Sequence, residues 1–269
     1  MIFGMNNNQI NKDMNRINEL FAAGQGNILS VYFTAGYPAI DSASDIIRDL
    51  EYAGADMVEI GMPFSDPVAD GPVIQGSSRQ ALRNGMSVGL LFEQIAGIRR
   101  NVNIPLLLMG YLNPVLKYGV ERFAAKCRDT GIDGVIIPDL PPEIFMDQYQ
   151  NLFSGCGLVN VFLISPCSSD ERIRYIDGIS NGFIYMVSTS ATTGIRNGFT
   201  ADQVSYFSRI KAMNLSMPRL LGFGISDRST FATACETADG AVIGSAFVRT
   251  IGENGYSEDV IRDFIAKIR

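Results

Sequence analysis

Two carboxylates carry the chemical promise of this chain. Glu59 and Asp70 lie within VEIGMPFSDPVADGP, residues 58–72: Glu59 near the end of an apolar run, Asp70 in the Gly/Pro-rich loop that follows. The 269 residues include no histidine, so proton transfer near neutral pH falls to carboxyl, tyrosyl, lysyl or thiol groups whose pKa the fold has moved. If Met57 points into a barrel, strand alternation turns Glu59 inward as well, with Val58 and Ile60 outward. Its expected neighbours, Tyr32, Met109 and Tyr111, are largely apolar, and desolvation should raise its pKa towards neutrality so that it both gives and takes a proton. The competing reading is a buried glutamate bonded to a tyrosine for structure alone. For Asp70 it is an ordinary turn residue, because Asp before Gly is common in turns.

A second constellation is built from glycines. GFGIS, Gly222 to Ser226, and GSA, Gly244 to Ala246, close two consecutive apolar runs near the C-terminus. Glycine lets backbone N–H groups approach an anion closely, and a helix starting at Ser245 aims its positive end at the same point. Tight turns explain one such glycine pair, whereas two at neighbouring strand ends favour a phosphate site. A third segment, STSATTGIRNGFT from Ser188 to Thr200, has the small polar composition of a lid, with Gly194 and Gly198 as hinges and Thr193 placed to touch a ligand or the Asp70 loop. Tyr185, just before it, offers a hydroxyl at the same mouth; the alternatives are a solvated loop and a packing tyrosine.

These groups need elements that bring them together. From Ile28 onward, β-rich apolar runs alternate with amphipathic stretches. The runs begin at Ile28, Ala55, Ile104, Asp133, Leu158, Gly182, Pro218 and Asp239. Eight strands, each followed by a helix, fit a closed (β/α)8 barrel of about 250 residues, an architecture that places its active sites at the carboxyl ends of the strands. Asp41 is expected to cap a helix with Ile46, Ile47 and Leu50 on its apolar face and Gly54 as its left-handed stop. Ser257 is expected to cap the last helix, with Glu258 and Asp259 at its positive end and a stripe of Val260, Ile261, Phe264, Ile265 and Ile268. A short extra helix, Asn15 to Ala22, is placed to plug the barrel floor. Residues 1–13 read as a flexible tail, and residues 14–269 as one barrel domain without a linker.

Composition narrows the function classes. A formal net charge of -6 leaves no basic surface for a nucleic-acid backbone, so an anionic ligand has to be held locally. No stretch approaches the ~20 apolar residues of a bilayer-spanning helix. Four cysteines without a C-x-x-C pair, and no secretory leader pattern, suggest a reduced cytoplasmic protein with cysteines as small core residues.

The P-F-S-D-P-x-A-D-G-P run, the STSATTG lid segment and the GFGIS and GSA turns, in this order and spacing from about Met14 to Arg269, closely resemble the α subunit of tryptophan synthase. That resemblance implies a (β/α)8 TIM barrel that cleaves indole-3-glycerol phosphate to indole and glyceraldehyde 3-phosphate. It further implies Glu59 as acid/base catalyst, Asp70 as acceptor of the indole N–H, and Tyr185 beside Glu59. The amides of Gly194, Gly224, Gly244 and Ser245 would hold the phosphate, and Phe223 and Met109 would line the indole pocket. No metal or cofactor is implied in this chain; the partner is a β subunit carrying pyridoxal phosphate, in an α2β2 tetramer. That partner would face the loop around Pro63, Asp66 and Pro67 and the region from Tyr111 to Pro114. Many members carry glycine where Ala191 stands in the lid.

Other barrel chemistries fit less well. A glycosidase also uses two carboxylates, but favours aromatic platforms, and the chain has no tryptophan. A sugar-phosphate isomerase would require an electrophile such as His or Lys near Glu59. A binding subunit without turnover is the third alternative, although both carboxylates are present.

Overall fold

The computed structural model describes residues 14–24, 26–188 and 199–269. The eight apolar runs, trimmed at their ends, become strands β1 Ile28–Thr34, β2 Met57–Gly61, β3 Leu106–Met109, β4 Gly134–Ile136, β5 Val159–Ile164, β6 Ile184–Val187, β7 Arg219–Gly222 and β8 Gly240–Ile243. They pair in parallel in chain order, and β8 closes onto β1. The strands are short and almost wholly buried, as expected when a parallel sheet is covered on both faces.

Alternation along each strand sorts the core into two parts. Met57, Leu107, Ile136, Phe183 and Leu220 fill the barrel interior. Val31, Val58, Ile60, Leu106 and Ile243 point outward into a larger apolar layer beneath the helices. Register sets Tyr32 opposite Glu59 and Glu59 opposite Leu107, so Glu59 faces the interior as the pattern of β2 predicts.

The floor is closed by the short helix Arg16–Ala22. Ile17 on it is fully buried among the interior residues, a burial that contributes roughly 2 kcal/mol. Asn15 caps it, accepting from the Ile17 amide at 2.9 Å while its side chain donates to the Asp133 carbonyl at 2.7 Å. Asp133, at the foot of β4, accepts from Arg16 at 2.9 Å and from the Leu106 amide at 2.8 Å, and also pairs with Arg99. This knot fixes the end of the barrel remote from the strand carboxyl ends.

The first barrel helix, Ala43–Ala53, ends at Gly54 with φ 99°, as read from the sequence, but Asp41 does not cap it. Ser42 is the residue before the helix, itself in helical conformation, and its hydroxyl donates backwards to the Ala39 carbonyl at 2.8 Å. The backbone thus enters the helix without the extended residue that a side-chain cap requires. Ser257 does cap Glu258–Ala266, accepting from the Val260 amide at 3.3 Å. The cysteines divide: Cys127 is buried, Cys156 and Cys235 half-buried, and Cys167 exposed in a turn instead of the expected core. No helix among the described residues is long and apolar enough to cross a membrane. Residues 1–13, read as a tail, lie outside the described residues.

Candidate active site

β2 delivers Glu59 to the barrel axis, with no exposed surface. Its Oε1 accepts from the Ser30 hydroxyl of β1 at 2.9 Å, and Oε2 has no hydrogen-bond partner. Burial pushes its pKa up to about 8, with the Ser30 bond acting in the opposite direction. The carboxyl is therefore held protonated at neutral pH. Its hydroxyl partner is a serine and not the tyrosine of the structural alternative. Tyr111, expected beside Glu59, is instead bonded to Asp70.

Two tyrosine rings lie over strand-end glycines of the barrel. A Cβ at Gly61 would lie 2.1 Å from the Tyr32 hydroxyl, and one at Gly222 would lie 2.3 Å from Cε1 of Tyr185. Glycines at the inward ends of β2 and β7 thus make room for the rings across the barrel mouth. Burial raises the pKa of both phenols, reinforced for Tyr32 chiefly by Asp70 and for Tyr185 by Glu59. Both remain neutral.

Asp70 sits just before the helix Pro72–Arg83, for which Gly71 is the N-terminal cap and Pro72 the first residue. A carboxylate there is favoured by the positive helix end. The loop is held by Tyr111, whose hydroxyl accepts from the Ala69 amide at 2.9 Å and donates to Oδ2 of Asp70 at 3.1 Å. The Phe64 ring lies 5.2 Å from that of Tyr111. Burial raises the Asp70 pKa to about 6, opposed by the Tyr111 hydroxyl. Asp70 is mostly ionised at pH 7 while Glu59 is mostly neutral, and opposed states of this kind suit one group to donate a proton and the other to stabilise positive charge.

A single cavity at the strand carboxyl ends joins the remaining residues. Its wall includes Asp70 with the start of the following helix, Tyr32, Met109 and Tyr185 from the barrel, Phe223 to Ser226 after β7, and Gly244 to Ala246 after β8. Glu59, with no exposed surface, is not among the residues of this wall; Tyr32, its register partner on β1, is. Phe223 and Gly224 have φ of 70° and 81°, a left-handed turn pinned by the Ser188 hydroxyl donating to the Phe223 carbonyl at 2.8 Å. Gly244 caps the helix Ser245–Asn254, whose positive end borders the same space. Apolar rings at one side and glycine-rich turns at the other suit a ligand with a flat aromatic part and an anionic tail.

The sequence profile described as "Tryptophan synthase alpha chain" matches residues 19–268. The chain belongs to that family. A tryptophan synthase alpha chain from Flavobacterium psychrophilum is 54% identical over 255 residues, covering 95% of this chain and 100% of that relative. One from Bacteroides fragilis is 51% identical over 248 residues, covering 92% and 94%. Among solved structures, the tryptophan synthase alpha chain of Legionella pneumophila superposes with a TM-score of 0.83 at 31% identity, covering 95% of this chain and 96% of that one. A chain of tryptophan synthase from M. tuberculosis, in an aminoacrylate-bound form, gives 0.81 at 29%, covering 94% and 98%. The chain is accordingly a carbon–carbon lyase of tryptophan biosynthesis, cleaving indole-3-glycerol phosphate to indole and glyceraldehyde 3-phosphate.

Of the residues singled out in the sequence, Asp70, Tyr185, Met109, Phe223, Gly224, Gly244 and Ser245 meet on one cavity wall, and Glu59 is fully buried outside it. Thr193, Gly194, Ala191 and Gly198 lie outside the described residues. Sequence reasoning passed over Ser30, although a polar residue two before Tyr32 on an apolar strand shares the inward face. It also passed over Ser226 and Arg249, both on the cavity wall; Arg249 follows Ser245 by one helical turn.

Proposed function

We propose that Glu59 and Asp70 divide the lyase chemistry between them. Protonated Glu59 gives its proton to C3 of the indole ring, and the positive charge this creates spreads to the ring nitrogen. Asp70, as a fixed carboxylate accepting the indole N–H, stabilises that charge without reacting. The bond from C3 to the glycerol carbon then breaks, its electron pair returning to the ring. The same Glu59 carboxylate takes the proton of the hydroxyl on that carbon, which leaves as the aldehyde of glyceraldehyde 3-phosphate. Proton, charge and carboxyl are all restored at the end of the cycle.

The observation that carries this reading is one barrel mouth holding two carboxyls in different settings, Glu59 fully buried with a lone Ser30 partner and Asp70 at a helix start bonded to Tyr111; burial accordingly raises their pKa to about 8 and about 6. Activity requires Glu59 protonated and Asp70 ionised, so the pH profile should be a bell between those values. Because Glu59 is fully buried and bonded to Ser30, its carboxyl turns from Ser30 towards the substrate during turnover; its neutral charge state keeps the cost of that turn low. Tyr185 packs beside the reacting carboxyl. Phe223 and Met109 sandwich the indole, and the amides of Gly224, Gly244 and Ser245, with Gly194 and Thr193 from the lid, take the phosphate.

The chain needs no cofactor of its own for these steps. Its partner is a tryptophan synthase β subunit carrying pyridoxal phosphate, in an α2β2 tetramer in the cytoplasm, with residues 14–269 as one barrel domain. The loop around Pro63, Asp66 and Pro67, with Tyr111 to Pro114, is the surface offered to that subunit. Val68 in this loop is 83% exposed, an apolar side chain left for a partner to cover. Indole formation from indole-3-glycerol phosphate, measured with and without a β subunit, tests the reading. Release of indole that rises on adding the β subunit is the expected result; no release under either condition refutes it.

A further inference from the structure

We infer that Arg249 is a phosphate-recognition residue of this cavity, supplying the full positive charge that the backbone amides do not. The inference rests on the cavity being the indole-3-glycerol phosphate site and adds a side chain to it. Among the described residues on the cavity wall, Arg249 is the only basic one, and it shares that wall with Gly224, Ser226, Gly244 and Ser245.

Its position in the helix explains why. Ser245–Asn254 begins at the cavity, and Arg249 stands four residues after Ser245 on the same face. Side chains lean towards the N-terminus of their helix, so a long side chain at this position covers the first turn, where the Gly244 and Ser245 amides are free. Among the described residues Arg249 enters no ion pair, not even with Glu253 one turn further on. Among the described residues the guanidinium is thus uncommitted, on the wall it shares with Gly244 and Ser245.

Charge balance points the same way. A phosphate monoester carries about -1.5 to -2 charges near neutral pH, whereas a helix N-terminus offers roughly half a positive charge. The chain as a whole is at -6, so its mean field repels such a ligand. A guanidinium with paired donors matches phosphate oxygens and offsets that field locally.

The test compares the intact protein with Arg249→Gln and Arg249→Lys in both reaction directions. Loss of one charge-assisted hydrogen bond to the phosphate should raise KM for indole-3-glycerol phosphate about tenfold. KM for glyceraldehyde 3-phosphate in the reverse direction should rise similarly, while KM for indole, which bears no phosphate, stays within twofold. Arg249→Lys should recover much of the loss, and raising ionic strength should weaken the wild type more than Arg249→Gln. Calorimetric binding of glycerol 3-phosphate gives the same comparison without turnover. Unchanged affinity for the phosphate ligands in a folded Arg249→Gln protein overturns the inference. So does a parallel loss for indole, which would mark a distorted cavity. Active wild-type enzyme with an indifferent Arg249→Gln removes only Arg249 from the site; a wild type that binds glycerol 3-phosphate through Arg249 but releases no indole removes only the lyase assignment.

Discussion

Glu59→Gln should abolish cleavage and, above pH 5, stabilise the fold. Glu59 is fully buried and its pKa rises from 4.5 in the free side chain to about 8 in the folded protein. Between those values the folded state binds a proton that the unfolded state has released, so stability falls as pH rises. It is greatest below 4.5 and levels off above about 8. Each pH unit inside the window costs about 1.4 kcal/mol, which gives a ceiling of about 3 kcal/mol at pH 7. Glutamine has no proton to take up, and its amide oxygen still accepts from Ser30, so the variant escapes this cost. For a chain of this size the gain corresponds to a Tm higher by roughly 5–10 °C at pH 7, shrinking to ~1–2 °C at pH 5. Calorimetry of both proteins at pH 5, 6, 7 and 8, with indole release measured on the same samples, decides the matter. The extra amide donor of glutamine shifts all four points together and leaves the trend intact. A Tm difference that does not grow with pH would show that Glu59 is ionised in the folded protein, and the proton-donor assignment would fail with it. A stable variant without activity would be a direct case of stability sacrificed for function.

Two further substitutions address the other carboxylate. Asp70→Asn should lower kcat by roughly 10²-fold or more, the scale for removing a charge aimed at a transition state; an unfolded protein in its place would mean that Asp70 is only a turn residue. Tyr111→Phe removes a hydroxyl that holds the Asp70 pKa down, so the acid limb of the kcat/KM profile should move upward from about 6. The alkaline limb, set by Glu59, should stay where it is, since Tyr111 does not contribute to that group; movement of both limbs would refute the separate assignment.

The primary structure determined the barrel because its signals are local. Eight β-rich runs separated by amphipathic stretches leave few ways to bury the sheet on both faces. Alternation along β2 was enough to turn Glu59 inward. Gly54 and Ser257 mark helix ends because a left-handed residue and a side-chain cap act within one turn. Asp41 failed as a cap for a complementary reason: whether a polar residue caps a helix depends on the backbone path into it, which residue type does not encode.

What only tertiary structure decided are the partners of the functional groups. Ser30 and Glu59 meet through the register of β1 and β2, and Tyr111 reaches Asp70 across 41 positions of chain. The pKa values of the two carboxyls follow from those contacts and from burial, both properties of the packed barrel. Arg249 went unremarked in the sequence because its place on the cavity wall arises only when β8 closes against β1 and sets its helix at the barrel mouth. Sequence period fixes which face a side chain takes; closure of the sheet fixes what it faces.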